Sequence, residues 1–136
     1  VSYLLDTNVL SELRKGHRAK ASVRDWFEKT DDRDLFTSVL VLGEIRRGIE
    51  FIRRRDPTAA EALHQWHRRL VETFGHRVLE VDAAIADQWG ILNIPDPVPT
   101  VDGLLAATAI VHELTLVTRN TKDVQGTGVS VLNPFE

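Results

Sequence analysis

Five short apolar runs, separated by stretches of helical periodicity, constrain the fold of this chain more than any other feature. They are Val1-Ser2-Tyr3-Leu4-Leu5, Leu35-Phe36-Thr37, Arg77-Val78-Leu79-Glu80-Val81, Leu114-Thr115-Leu116-Val117 and Val129-Ser130-Val131-Leu132. Each has the length of a buried strand, and polar residues or proline follow each one. Between them, apolar residues recur at helical spacing, as in Val41, Leu42, Ile45, Ile49 and Ile52. Helices are predicted at 9–14, 19–29, from Ser38 to beyond Ile52, 57–74, 83–92 and 101–113. Asp6-Thr7-Asn8, Ser38, Asp82 and Thr100 stand where side-chain oxygens cap a helix start. Pro57 suits a first turn, and Gly16 and Gly75 stand where helices stop. Strands alternating with helices predict an α/β/α sandwich around a mainly parallel sheet of about five short strands.

The length of 136 residues fits one domain spanning 1–136, with no second core. A charged fraction of 27% beside 43% hydrophobic residues excludes a disordered chain. No apolar run reaches the roughly 18 residues of a membrane helix, and no signal-peptide pattern opens the chain. The absence of cysteine excludes disulfides, thiolate nucleophiles and Cys-based metal sites. The expected location is the cytoplasm, and the absence of Met is read as a processed or trimmed start. The net charge of −3 hides an uneven distribution, with Arg14-Lys15-Gly16-His17-Arg18, Arg46-Arg47, Arg53-Arg54-Arg55 and Arg68-Arg69 all in the first half.

Four acids lie at strand or helix ends far apart in sequence: Asp6, Glu44, Asp102 and Asp123. Taken singly, Asp6 and Asp102 have an ordinary explanation as helix caps, Glu44 as a dipole-complementing surface residue and Asp123 as a turn residue. Asp102 opens a helix, Gly103-Leu104-Leu105-Ala106-Ala107-Thr108-Ala109, that must be buried on most sides, so its carboxylate needs a partner. In a parallel sheet, ligands bind beyond the carboxyl ends of the strands, where Asp6 and the loop from Thr118 project. Gathered carboxylates repel one another and make physical sense as ligands of a hard divalent cation.

The joint pattern is more specific than its parts. Asp6-Thr7-Asn8-Val9-Leu10-Ser11-Glu12-Leu13, Gly43-Glu44-Ile45-Arg46-Arg47-Gly48, Asp102 to Ala109, and Thr118-Arg119-Asn120 with Asp123 together resemble the PIN-domain ribonucleases. Within them the chain is similar to VapC-type toxins of toxin–antitoxin pairs, including the FitB-like branch, over nearly its whole length. The resemblance implies a metal-dependent endoribonuclease whose Asp6, Glu44, Asp102 and Asp123 bind Mg²⁺, with Mn²⁺ able to substitute. It implies supporting catalytic roles for Thr118 and Asn120, a peripheral one for Glu12, and inhibition of translation or growth through RNA cleavage. It further implies a VapB-type antitoxin, contact with operator DNA only through that antitoxin, and a homodimer, to which Ile45, Ile49 and Ile52 are expected to contribute.

Arg14, Lys15, Arg46 and Arg47 flank the acids in sequence and are candidates for contact with RNA phosphates. His64 and His67 lack the arrangement of a zinc protease and are read as solvated or RNA-facing. The three tryptophans are read as packing residues. A haloacid-dehalogenase-type phosphatase would need a second Asp where this chain has Asn8. The remaining alternative is a catalytically silent PIN-like protein that binds a partner or nucleic acid.

Overall fold

The computed structural model describes residues 1–136. Five parallel strands, β1 (Tyr3–Leu5), β2 (Leu35–Ser38), β3 (Val78–Leu79), β4 (Thr115–Val117) and β5 (Val131–Leu132), form a sheet of order β3-β2-β1-β4-β5. Tyr3 and Leu4 of β1 pair with Leu35 and Phe36 on one side and with Thr115 and Leu116 on the other. Leu4 and Leu5 are fully buried, as a central strand covered on both faces requires.

The helices are α1 (Thr7–Leu13), α2 (Ala21–Lys29), α3 (Val39–Arg53), α4 (Pro57–Phe74), α5 (Ala83–Leu92) and α6 (Thr100–Val111). From β1 the chain steps outward through β2 to β3, then returns across the sheet to β4. Right-handed crossovers then put α1–α4 on one face and α5–α6 on the other, which completes the α/β/α layering. The five strands and their parallel pairing agree with the sequence reading.

Local chemistry explains the boundaries. Asp56 accepts a hydrogen bond from Ala59 N, with Pro57 in the first turn of α4, and Asp82 accepts one from Ile85 N to start α5. Ser38 Oγ accepts from Leu40 N at the start of α3. Gly16 and Gly75 have φ of +62° and +52°, the conformation that glycine tolerates where a helix must end. Several predicted bounds shift. Helix α1 begins at Thr7 instead of Val9, because Asp6 itself takes the cap position. Helix α2 begins at Ala21, after a 3₁₀ turn at Gly16–Arg18. Thr100 does not cap α6; Pro99 holds that place without a side-chain bond. Strands β3 and β5 each shorten to two residues.

A single cluster of 22 buried apolar residues joins the sheet to helices of both faces. Ile45 and Ile49 belong to it and so serve the interior, not a dimer face as expected from sequence, whereas Ile52 packs against it and stays half-buried. Helix α6 is buried along Leu105–Ala109. No helix is long and apolar enough to cross a membrane.

Candidate active site

The sheet reverses its direction of winding between β1 and β4, so their following loops diverge and leave a crevice at the carboxyl ends. Asp6 N donates to Val117 O at 3.0 Å, which pins the end of β1 beside that of β4. Asp6 is 5% exposed. Its Oδ1 accepts from Thr7 N at 2.7 Å, and its Oδ2 accepts from Thr118 Oγ1 at 2.8 Å and Asn8 Nδ2 at 3.4 Å. The Thr118 hydroxyl, itself buried, also accepts from Asn120 N at 3.0 Å and from Asn8 Nδ2 at 3.3 Å. Asn8 Oδ1 in turn accepts from Arg119 N at 3.1 Å. These neutral donors hold one carboxylate in one orientation.

Glu44 reaches the same crevice from the second turn of α3, where its Oε1 accepts from Thr7 Oγ1 at 2.6 Å. Asp102 lies in the first turn of α6, and Asp123 lies on a 3₁₀ turn at Thr121–Val124. Their proximity shows in the Asp102 carboxyl, which burial first, then the charges of Asp6, Asp123 and Glu44, push up to about 6. Burial also raises the Asp6 carboxyl, against the lowering effect of its hydrogen bonds from Thr118, Thr7 and Asn8. None of the four acids has an ion pair with Lys, Arg or His. The charges of three carboxylates reach Asp102, and such a group without an ion-paired cationic side chain suits a hard divalent cation. No three of them already enclose one point as a closed cage; Mg²⁺ commonly takes only one or two carboxylates directly and keeps several waters.

The other candidates divide. Asn120 is exposed beside Asp123, and its contact with Thr118 is through the backbone. Glu12 accepts from Lys15 Nζ and Lys20 N, both at 2.9 Å, and so fastens the α1–α2 connection. Lys15 is thereby engaged. The Arg14 guanidinium sits 5.7 Å from the Trp66 ring centroid, over an apolar cleft between α1, α2 and α4. Arg46 is bound to Glu50 at 3.0 Å and to His64 Nδ1 at 2.9 Å. Only Arg47, of the four proposed phosphate contacts, is exposed without such a partner.

His64 and His67, read from sequence as solvated or RNA-facing, are half-buried and engaged with α3. His67 Nε2 donates to Leu42 O at 3.1 Å, and with the His64–Arg46 contact it ties α4 to α3. Sequence proximity missed two exposed basic residues on the loop that follows β4, Arg119 and Lys122; the Arg119 guanidinium sits 4.0 Å from the Phe135 ring centroid, while Lys122 has no side-chain partner. Their place between Thr118 and Asp123 was the available signal.

Residues 3–125 match the PIN domain sequence profile. The chain belongs to the PIN-domain family. This PIN domain is 31% identical to the plasmid stability protein StbB of Pseudomonas syringae pv. tomato, over 98% of each chain. It is 28% identical to the toxin FitB of Neisseria gonorrhoeae over 97% of each, and 28% identical to the VapC ribonuclease Y4jK of Sinorhizobium fredii, covering 98% of this chain and 97% of that one. Its fold matches that of FitAB bound to the IR36 DNA fragment with a TM-score of 0.87 and 26% identity, covering 98% of this chain and 96% of that one.

Proposed function

We propose that this PIN domain is a metal-dependent endoribonuclease that acts as the toxin of a toxin–antitoxin pair and inhibits translation or growth by hydrolysing RNA. The observation that carries this reading is the group of four carboxylates, without a basic partner, at the crevice between β1 and β4. The relatives named as a toxin and as a VapC ribonuclease support it.

Asp6, Asp102, Glu44 and Asp123 are the proposed ligands of Mg²⁺, with Mn²⁺ as a substitute. A divalent cation bound there would supply Lewis acidity toward the scissile phosphate and lower the pKa of a water. Thr118 and Asn8 fix the Asp6 carboxylate, and Thr7 fixes Glu44, so that neither must reorganise when substrate arrives. Asn120, exposed just before the turn that carries Asp123, is the second proposed supporting residue. Arg47, Arg119 and Lys122 supply the exposed positive charge that a polyanion needs near an acidic site.

The proposed partners are a VapB-type antitoxin, operator DNA through that antitoxin, and a second copy of this chain. The deciding experiment is cleavage of a mixed RNA by purified, antitoxin-free protein with Mg²⁺ or Mn²⁺. Cleavage should disappear with EDTA and in Asp6→Asn and Asp102→Asn. A folded protein that binds neither metal and cuts no RNA would overturn the enzyme reading in favour of a silent binding protein.

A further inference from the structure

A cleft of about 280 Å³, which Asp123 itself lines, is walled by the proline-rich connection at 94–99 and by the loop at 122–127. Both walls are held from behind. Asn93 Oδ1 accepts from Val98 N at 3.1 Å while its Nδ2 donates to Trp89 O at 2.7 Å, and three prolines restrict the backbone between. Val98 in turn packs onto Gly103, next to Asp102, so closely that a Cβ there would meet Val98 Cγ2 at 2.6 Å. On the opposite wall, Thr127 Oγ1 donates to Val124 O at 2.7 Å, anchored by the buried Val124. The cleft is therefore attached to the turns that carry two of the four acids.

Its size lies at the small end of ligand clefts, roughly 300 Å³, enough for one nucleoside and too small for a duplex. Its chemistry is mixed. Pyrrolidine rings and Ile94, left 76% exposed, offer apolar surface to the plane of a base. Asp96, Lys122 and Gln125 add an acceptor-only carboxylate, a donor-only ammonium and an amide. Guanine alone among the RNA bases presents two adjacent N–H donors beside a carbonyl acceptor on its Watson–Crick edge. Recognition of single-stranded RNA works through such splayed, stacked and edge-bonded bases.

We propose that this cleft binds one unpaired guanine next to the cut phosphodiester, with Asp96 accepting from N1–H and N2–H and Lys122 donating to O6. The assignment rests on the nuclease reading for its place beside the cut, but base binding can be read without cleavage. The test is to titrate ¹⁵N-labelled protein in EDTA with each of the four ribonucleoside 5′-monophosphates, and to compare RNA cleavage at guanosine with cleavage at inosine, which lacks the N2 amine. Only GMP should shift the Gly126 and Thr127 amides, and Asp96→Asn should weaken its binding by about fivefold or more, the lower end of what losing a bidentate base contact costs. Inosine should lower kcat/KM at its own position in wild type and not in Asp96→Asn. Equal shifts with all four nucleotides, or none at those amides, would overturn the proposal. So would cleavage indifferent to the base, which leaves the nuclease reading intact. Specific GMP binding by a protein that binds neither Mg²⁺ nor Mn²⁺ and cuts no RNA would support the cleft and remove the nuclease.

Discussion

A buried carboxylate is tolerable only if its oxygens are satisfied, and the Thr118 hydroxyl is the side-chain donor that lowers the Asp6 pKa most. Thr118→Val keeps the shape and removes that donor. We expect a stability loss of about 1–3 kcal/mol by urea unfolding and a fall in RNA cleavage of roughly 10–100-fold. Thr118→Ser should recover much of both. Asp102 behaves differently because its environment opposes its charge. Its carboxyl rises from 3.8 to about 6, so the native protein retains a proton that the unfolded chain releases within that window. Its contribution to stability therefore declines as pH rises from about 4 to 6, and the penalty is complete above that range. Asp102→Asn should raise the Tm of metal-free protein well above pH 6 and change it little near pH 4, measured by thermal scans in EDTA. Equal effects at both pH values would show that neither burial nor the neighbouring acids raise its carboxyl.

At the level of elements, the packing of α6 explains a glycine whose φ needs no explanation. Gly103 leaves room for Val98 and the Trp89 ring, whose nearest atoms would lie 2.6 and 3.3 Å from an added Cβ. Gly103→Ala should destabilise the protein by about 1–3 kcal/mol through overpacking, despite the better helix propensity of alanine, and chemical denaturation will show the sign. The α3–α4 hairpin carries a second prediction. Burial lowers the His67 pKa, the Leu42 carbonyl opposes this, and Arg46 and His64 lower it further. Because the native ring resists a proton that the unfolded ring accepts, its contribution to stability is present above about 6.5 and is lost as pH falls below it. Amide protection factors at Leu42 and neighbouring α3 residues should fall more on acidification in wild type than in His67→Gln.

For the molecule as a whole, the strand order decides where chemistry can occur. Because β1 and β4 are neighbours whose crossovers run to opposite faces, acids from α1's cap, α3, α6 and the loop after β4 meet at one end of the sheet. If they hold a cation, binding must stabilise the native state by mass action. Mg²⁺ or Mn²⁺ at about 100 times its dissociation constant should add about 2.7 kcal/mol, seen as a Tm increase that EDTA reverses. The Asp6→Asn protein should show little increase, and an undiminished one would place the cation elsewhere.

The order of strands and helices, the caps at Ser38 and Asp82 and the burial of α6 were all readable in the sequence, because periodicity and capping are local properties. The four acids could be singled out by their positions at element ends, and by resemblance, without any distance between them. Tertiary structure decided what no local pattern encodes: that Glu12 fastens a loop, that Ile45 and Ile49 face inward, and that Lys15 and Arg46 are engaged while Lys122 stands free beside Asp123. The physical reason is that hydrogen-bond partners and electric fields depend on distance in space. Contacts such as Thr118 to Asp6, 112 residues apart in sequence, exist only once the sheet has formed.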